Sequence, residues 1–187
     1  ITSLDPAGAR TLENIWACNQ LYNGLIQMND SMAPVPCIAK SWEIKNEGLT
    51  YIFHLRSDVY FHDNACFEGG KGRKVTAGDF VYSFNRLLNP AVSSALSLLS
   101  SVDTTSNNAF VATNDSTFVI NMKKSFIPFL NILTMKYFSV LPQEAVALYG
   151  NDFSRNPVGT GPFKFKTWKE GTKMVFLKND HYFEYDN

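Results

Sequence analysis

Cysteine is scarce in this chain of 187 residues, with only Cys18, Cys37 and Cys66. Three are too few for a disulfide scaffold, and an odd count leaves at least one thiol unpaired within the chain, so they read as small core residues. Long apolar runs are absent too: no stretch of about 18 residues could cross a membrane as a helix. The start "ITSLDPAGAR" carries neither the basic nor the apolar region of a signal peptide. An excess of one charge is also missing, since 17 Lys and Arg balance 17 Asp and Glu. No overall field draws in a polyanion, which argues against nucleic acid as a partner.

Aromatic residues are plentiful. The chain is 45% hydrophobic and 14% aromatic, with 15 Phe and 8 Tyr, enough for a sizeable core without metals or disulfides. The length suits one large domain or two small ones equally. The ends are abrupt: Ile1 opens in what reads as a strand, and "HYFEYDN" closes without a cap, so a piece of a longer protein is expected.

Helix and strand patterns are interspersed, which predicts an α+β fold. "AKSWEIKNEGLTYIFHLRSDVYFHD" reads as a hairpin turning at Asn46-Glu47-Gly48, with Trp42 and Ile44 alternating on one arm and Tyr51, Phe53 and Leu55 on the other. "NACFEGGKGRK" reads as an exposed, solvated loop. Thr76 followed by Asp79 approaches a capping box for a helix with Phe80, Val81, Phe84, Leu87 and Leu88 on one face, stopped by Asn89-Pro90. A second hairpin turns at Asn114-Asp115. "FIPFLNILTM" then predicts a short helix, "KYFSVLP" a short buried strand, and "PQEAVALYGN" a helix between Pro142 and Gly150. A last hairpin turns at Glu170-Gly171.

Candidate chemistry is sparse. His54, His62, Asp63 and Cys66 are possible metal ligands, but their spacing matches no zinc pattern, and an ordinary turn capped by Asp63 explains "FHDN" equally. No G-x-S-x-G elbow accompanies the three histidines, so a nucleophilic enzyme is disfavoured. "GTG" at 159–161 lacks the other glycines and the Lys-Ser/Thr pair of phosphate loops. For "NPVGTGPF" two readings stay open: a loop whose bare backbone lies against another chain or ligand, or a tight turn with no ligand.

The co-linear set "SLDPA", "LYNGLIQMND", "SWEIKNEGLTYIFHLR", "VTAGDFVYSFNRLLNP" and "NPVGTGPFKFKTW" resembles the N-terminal part of the family 5 extracellular solute-binding proteins, the peptide, dipeptide and nickel receptors of ABC importers. The sequence departs from that pattern in its long "FEGGKGRK" segment and in "FHDN", where Gly is usual after Asp. The resemblance implies the N-terminal lobe portion of a two-lobed periplasmic-binding-protein-like fold of class II, with an inserted α/β subdomain. Residues 1–25 would form the first strand and helix of lobe I, 26–153 the insertion, and 154–187 the return, with the second lobe absent. An apolar or aromatic face should then lie exposed where the other lobe docks.

The same resemblance implies a non-enzymatic receptor outside the cytoplasmic membrane, lipid-anchored upstream of Ile1 and monomeric. It would bind an oligopeptide or dipeptide, without a cofactor, and deliver it to an ABC permease. It places at the cleft Ala7, Gly8, Ala9 and Arg10, then Lys136, Tyr137 and Phe138, then Gly159 and Thr160. Rival readings are a chelated metal recognised by His62 or an aromatic cleft, and a signalling or interaction module of the same fold.

Overall fold

A computed structural model of the chain describes residues 1–93 and 95–185. The expected first strand does not form: residues 1–5 lead into a 3₁₀ turn, Pro6–Gly8, and then into helix α1, Leu12–Leu21. Thr11 caps α1, its hydroxyl accepting from the Asn14 N–H. One side of α1 buries Asn14, Ala17, Cys18 and Leu21, while Leu12 and Trp16 remain 55% and 62% exposed on the other.

A small hairpin, β1 (Ile26–Met28) with β2 (Pro34–Pro36), precedes a four-stranded antiparallel sheet. The sheet comprises β3 (Ala39–Lys45), β4 (Thr50–Leu55), β5 (Phe110–Asn114) and β6 (Thr117–Asn121), in the order β3-β4-β6-β5. Both predicted hairpins therefore form. On β4 the alternation is as expected, with Tyr51, Phe53 and Leu55 buried. On β3 it is not, because β3 is an edge strand: Trp42 is half-buried and Ile44 exposed.

Helix α2, Ala77–Arg86, packs on β5 and β6. Its apolar face builds a phenylalanine core in which Phe84 lies 5.2 Å from Phe118, 5.3 Å from Phe110 and 5.4 Å from Phe138 between ring centroids. These are edge-on and tilted contacts of the kind aromatic quadrupoles favour. At the N-terminus of α2, the Asp79 carboxylate accepts from the Thr76 N–H at 2.8 Å and from the Thr76 hydroxyl at 3.1 Å.

The segment read as a solvated basic loop is instead anchored. Arg73 makes paired bonds to Asp79 (2.6 and 2.9 Å) and to Glu144 (2.6 and 2.9 Å), and its guanidinium lies over the rings of Phe61 and Phe67. A planar guanidinium can hold two carboxylates and a ring at once, which sequence spacing does not reveal.

Helices α3 (Phe129–Leu133) and α4 (Gln143–Tyr149) form where predicted. "KYFSVLP" does not begin as a strand: Lys136–Phe138 is a 3₁₀ turn, and only Ser139 bridges to Gly24. The ribbon β7 (Phe163–Lys169) and β8 (Lys173–Lys178) follows, turning at Gly171, whose φ is 67°.

Thr76→Ala should lower stability by about 1 kcal/mol. Asp79→Ala, which also strips Arg73 of a buried partner, should cost about 2 kcal/mol or more. Urea unfolding of the two variants side by side checks that order.

Candidate functional site

Two of the segments singled out in the sequence reach the C-terminal end of α1, and the third packs on one of them. The Pro6–Gly8 turn packs against the Lys136–Phe138 turn. Lys136 Nζ donates to the Tyr22 carbonyl at 3.3 Å, and the Tyr22 hydroxyl donates to the Leu4 carbonyl at 3.0 Å. From the other side the "NPVGTGPF" loop closes on the same residues: the Gly161 N–H donates to the Leu21 carbonyl at 2.9 Å, and the Thr160 hydroxyl donates to Asn23 Oδ1 at 3.0 Å.

This approach explains the glycines. A Cβ at Gly159 would collide with the Leu21 carbonyl oxygen and the Tyr22 ring, and one at Gly161 with the Gln20 and Leu21 backbone. Neither glycine has a positive φ, so close backbone contact, and not conformational freedom, demands the missing side chain.

Two of the loop's carbonyls accept hydrogen bonds from within the chain. The Gly159 carbonyl accepts from the His62 N–H at 2.8 Å. The Gly161 carbonyl accepts from the His62 ring at 2.9 Å and from Asn179 Nδ2 at 3.0 Å. These two carbonyls therefore already have partners within the chain. His62 is a residue whose place the sequence reading missed, because its partner is 99 positions away.

The predicted site residues divide by exposure. Ala7, Ala9, Phe138, Gly159 and Thr160 are buried; Gly8, Lys136 and Tyr137 are half-buried; Arg10 is exposed. Burial disfavours the ammonium of Lys136 and lowers its pKa. Asn23 extends the polar contacts, its Nδ2 donating to the Tyr182 hydroxyl, which donates in turn to Glu184. A separate cavity of about 610 Å³, lined in part by Tyr60, His62, Lys164 and Tyr182, includes none of the predicted residues.

The suggested metal ligands do not assemble. His54 bonds Glu43, Asp63 receives the Gly72 N–H and Lys71, and no group of three His, Cys, Asp or Glu converges among the described residues. Burial pushes the Cys18 and Cys37 thiols up to about 12, so they stay protonated and unreactive.

Gly159→Ala and Gly161→Ala should each destabilise the protein by roughly 3 kcal/mol, whereas Gly8→Ala, with no atom within 4 Å, should be close to neutral. Burial lowers the His62 pKa from 6.5 to about 4. Since the unfolded chain then takes up the proton first, stability is flat above pH 6.5 and falls between there and pH 4, by on the order of 3 kcal/mol from this group. His62→Gln, which cannot take up the proton, should remove that part of the pH dependence in paired urea titrations.

A model of the bacterial extracellular solute-binding proteins, family 5, matches residues 33–187. Heme-binding protein A of Haemophilus influenzae is 31% identical over 186 residues, covering 88% of this chain and 32% of its own length. The Helicobacter pylori ABC transporter-associated periplasmic binding protein DppA, solved with the peptide STSA, superposes with a TM-score of 0.85 at 30% identity, over 97% of this chain and 38% of that one. NikZ from Campylobacter jejuni, solved with Ni(L-His), superposes with a TM-score of 0.82 at 30% identity, over 98% of this chain and 34% of that one. The chain spans about a third of the length of the curated relatives it matches. By this match in sequence and fold, the chain belongs to the family 5 bacterial extracellular solute-binding proteins.

Proposed function

We propose that this chain is part of the substrate-binding component of an ABC importer, a non-enzymatic receptor that takes a peptide-like solute into a cleft between two lobes and hands it to a membrane permease. The observation that carries the reading is the match, over nearly the whole chain, to a relative solved with a bound peptide. In this reading residues 1–25 and 154–187 belong to one lobe and 26–153 to its inserted subdomain. The protein works as a monomer outside the cytoplasmic membrane, held there by a lipid anchor.

In this reading the cleft residues take different parts according to their exposure. Gly8, Arg10, Lys136 and Tyr137 have surface left for a ligand, while Ala7, Ala9, Phe138, Gly159 and Thr160 shape the wall behind them. Arg10 is exposed, and its cation suits a peptide carboxylate. Leu12 and Trp16, exposed on α1, suit the docking of further protein. Closure of the second lobe would supply the opposite wall, and hinge motion of this kind traps ligand and changes the surface a permease reads. A second reading, a chelated metal as cargo, is favoured by the likeness to the nickel-bound relative.

Native mass spectrometry of the full-length protein, as purified and after unfolding and refolding, tests the choice. Peptide masses released on unfolding and absent from the 187-residue chain alone are expected. A full-length protein that gains mass only with a metal complex would replace the peptide reading with the second.

A further inference from the structure

His62 is 6% exposed, and its Nδ1 has no hydrogen-bond partner among the described residues. The ring's other nitrogen faces the Gly161 carbonyl, which can only accept, so Nε2 carries the proton and Nδ1 is left as a bare acceptor. A buried orphan acceptor is a cost that an apolar side chain of similar volume would avoid. The imidazole is therefore set there for what its Nε2–H does, which is to hold Gly161.

The attachment is two-pronged. The His62 backbone N–H holds the Gly159 carbonyl while the ring holds Gly161, so Thr160 is gripped from both sides and its hydroxyl is aimed at Asn23. Asn23 follows Tyr22, whose carbonyl receives Lys136. Lys164 and Asp63 are the charged groups that act on His62. The chain of contacts thus runs from His62, in the inserted segment, through the glycine loop, to the residues assigned to the cleft.

We propose that His62 is a positioning residue for ligand capture: without touching the ligand, it fixes the 158–162 loop and, through Thr160 and Asn23, the placement of Tyr22 and Lys136. This rests on the receptor reading given above. It predicts that loss of the Nε2–H loosens the loop and weakens binding, and that any side chain returning a donor to that point restores both.

The test uses the full-length protein with His62→Leu and His62→Gln, the latter able to present an amide N–H toward Gly161. Amide hydrogen exchange is followed without ligand, and affinity is measured by calorimetry with the peptide recovered from the wild type. His62→Leu should speed exchange across residues 158–162, leave β4 and β6 protected, and weaken binding roughly 10-fold. His62→Gln should stay within about 2-fold of wild type by the same measure. If His62→Leu does not fold, His62→Met, similar in length and without a donor, takes its place. Wild-type exchange in the donor-free variant, or equal loss in His62→Gln, overturns the inference whatever the protein binds. A wild type that yields no peptide, while the variant's loop exchange is raised, overturns the peptide reading and leaves the attachment of the loop standing.

Discussion

The close contact of one backbone on another, the 159–161 loop against the last turn of α1, is the constraint on which the rest of the structure depends. Backbones approach this closely only where no Cβ intervenes, and both Gly159 and Gly161 meet that condition. Once the loop is seated, the ribbon β7–β8 leaves it beside α1, and Asn179 returns to bond the Gly161 carbonyl. His62 is drawn in by the same carbonyls. The reward is that every polar atom named in this contact is satisfied within the chain except His62 Nδ1.

Charge pairs secure the segments around that contact, and only the sheltered ones matter energetically. Arg86 on α2 reaches Asp5 ahead of the first turn with both side chains about 13–14% exposed, and its guanidinium lies over Phe153. Arg73 joins the start of α2 to α4 through Asp79 and Glu144. Such bidentate, partly desolvated pairs fix geometry because removing either member strands the other. Lys45 with Glu43 and Arg155 with Glu170 are well exposed, and solvent screening leaves them little weight.

For the receptor proposed above, a cleft wall would need rigidity behind the surface offered to ligand, because binding energy spent on ordering the site is lost from affinity. That accords with the division seen here, in which the buried residues of the three segments carry the packing and Gly8, Arg10, Lys136 and Tyr137 keep exposed surface. It also accords with relatives of the same fold that are solved with a peptide or a nickel complex, since the scaffold can stay constant while exposed positions change.

Local features were legible in the sequence. Turn residues marked the hairpins at 46–48, 114–115 and 170–171, the Thr76 and Asp79 pair marked the start of α2, and the 3.6-residue spacing of Phe80, Phe84 and Leu87 marked its buried face. These depend on neighbours a few positions apart, so pattern alone determines them. Tertiary structure decided what depended on distant partners. Ile44 proved exposed because β3 lies at an edge, Arg73 proved to be a junction because α4 supplies Glu144, and Lys136–Phe138 proved a turn packed on residues 6–8. The glycines of "GTG" and the ring donor of His62 acquire their meaning from contacts across more than 90 positions, where spacing along the chain carries no information about proximity in space.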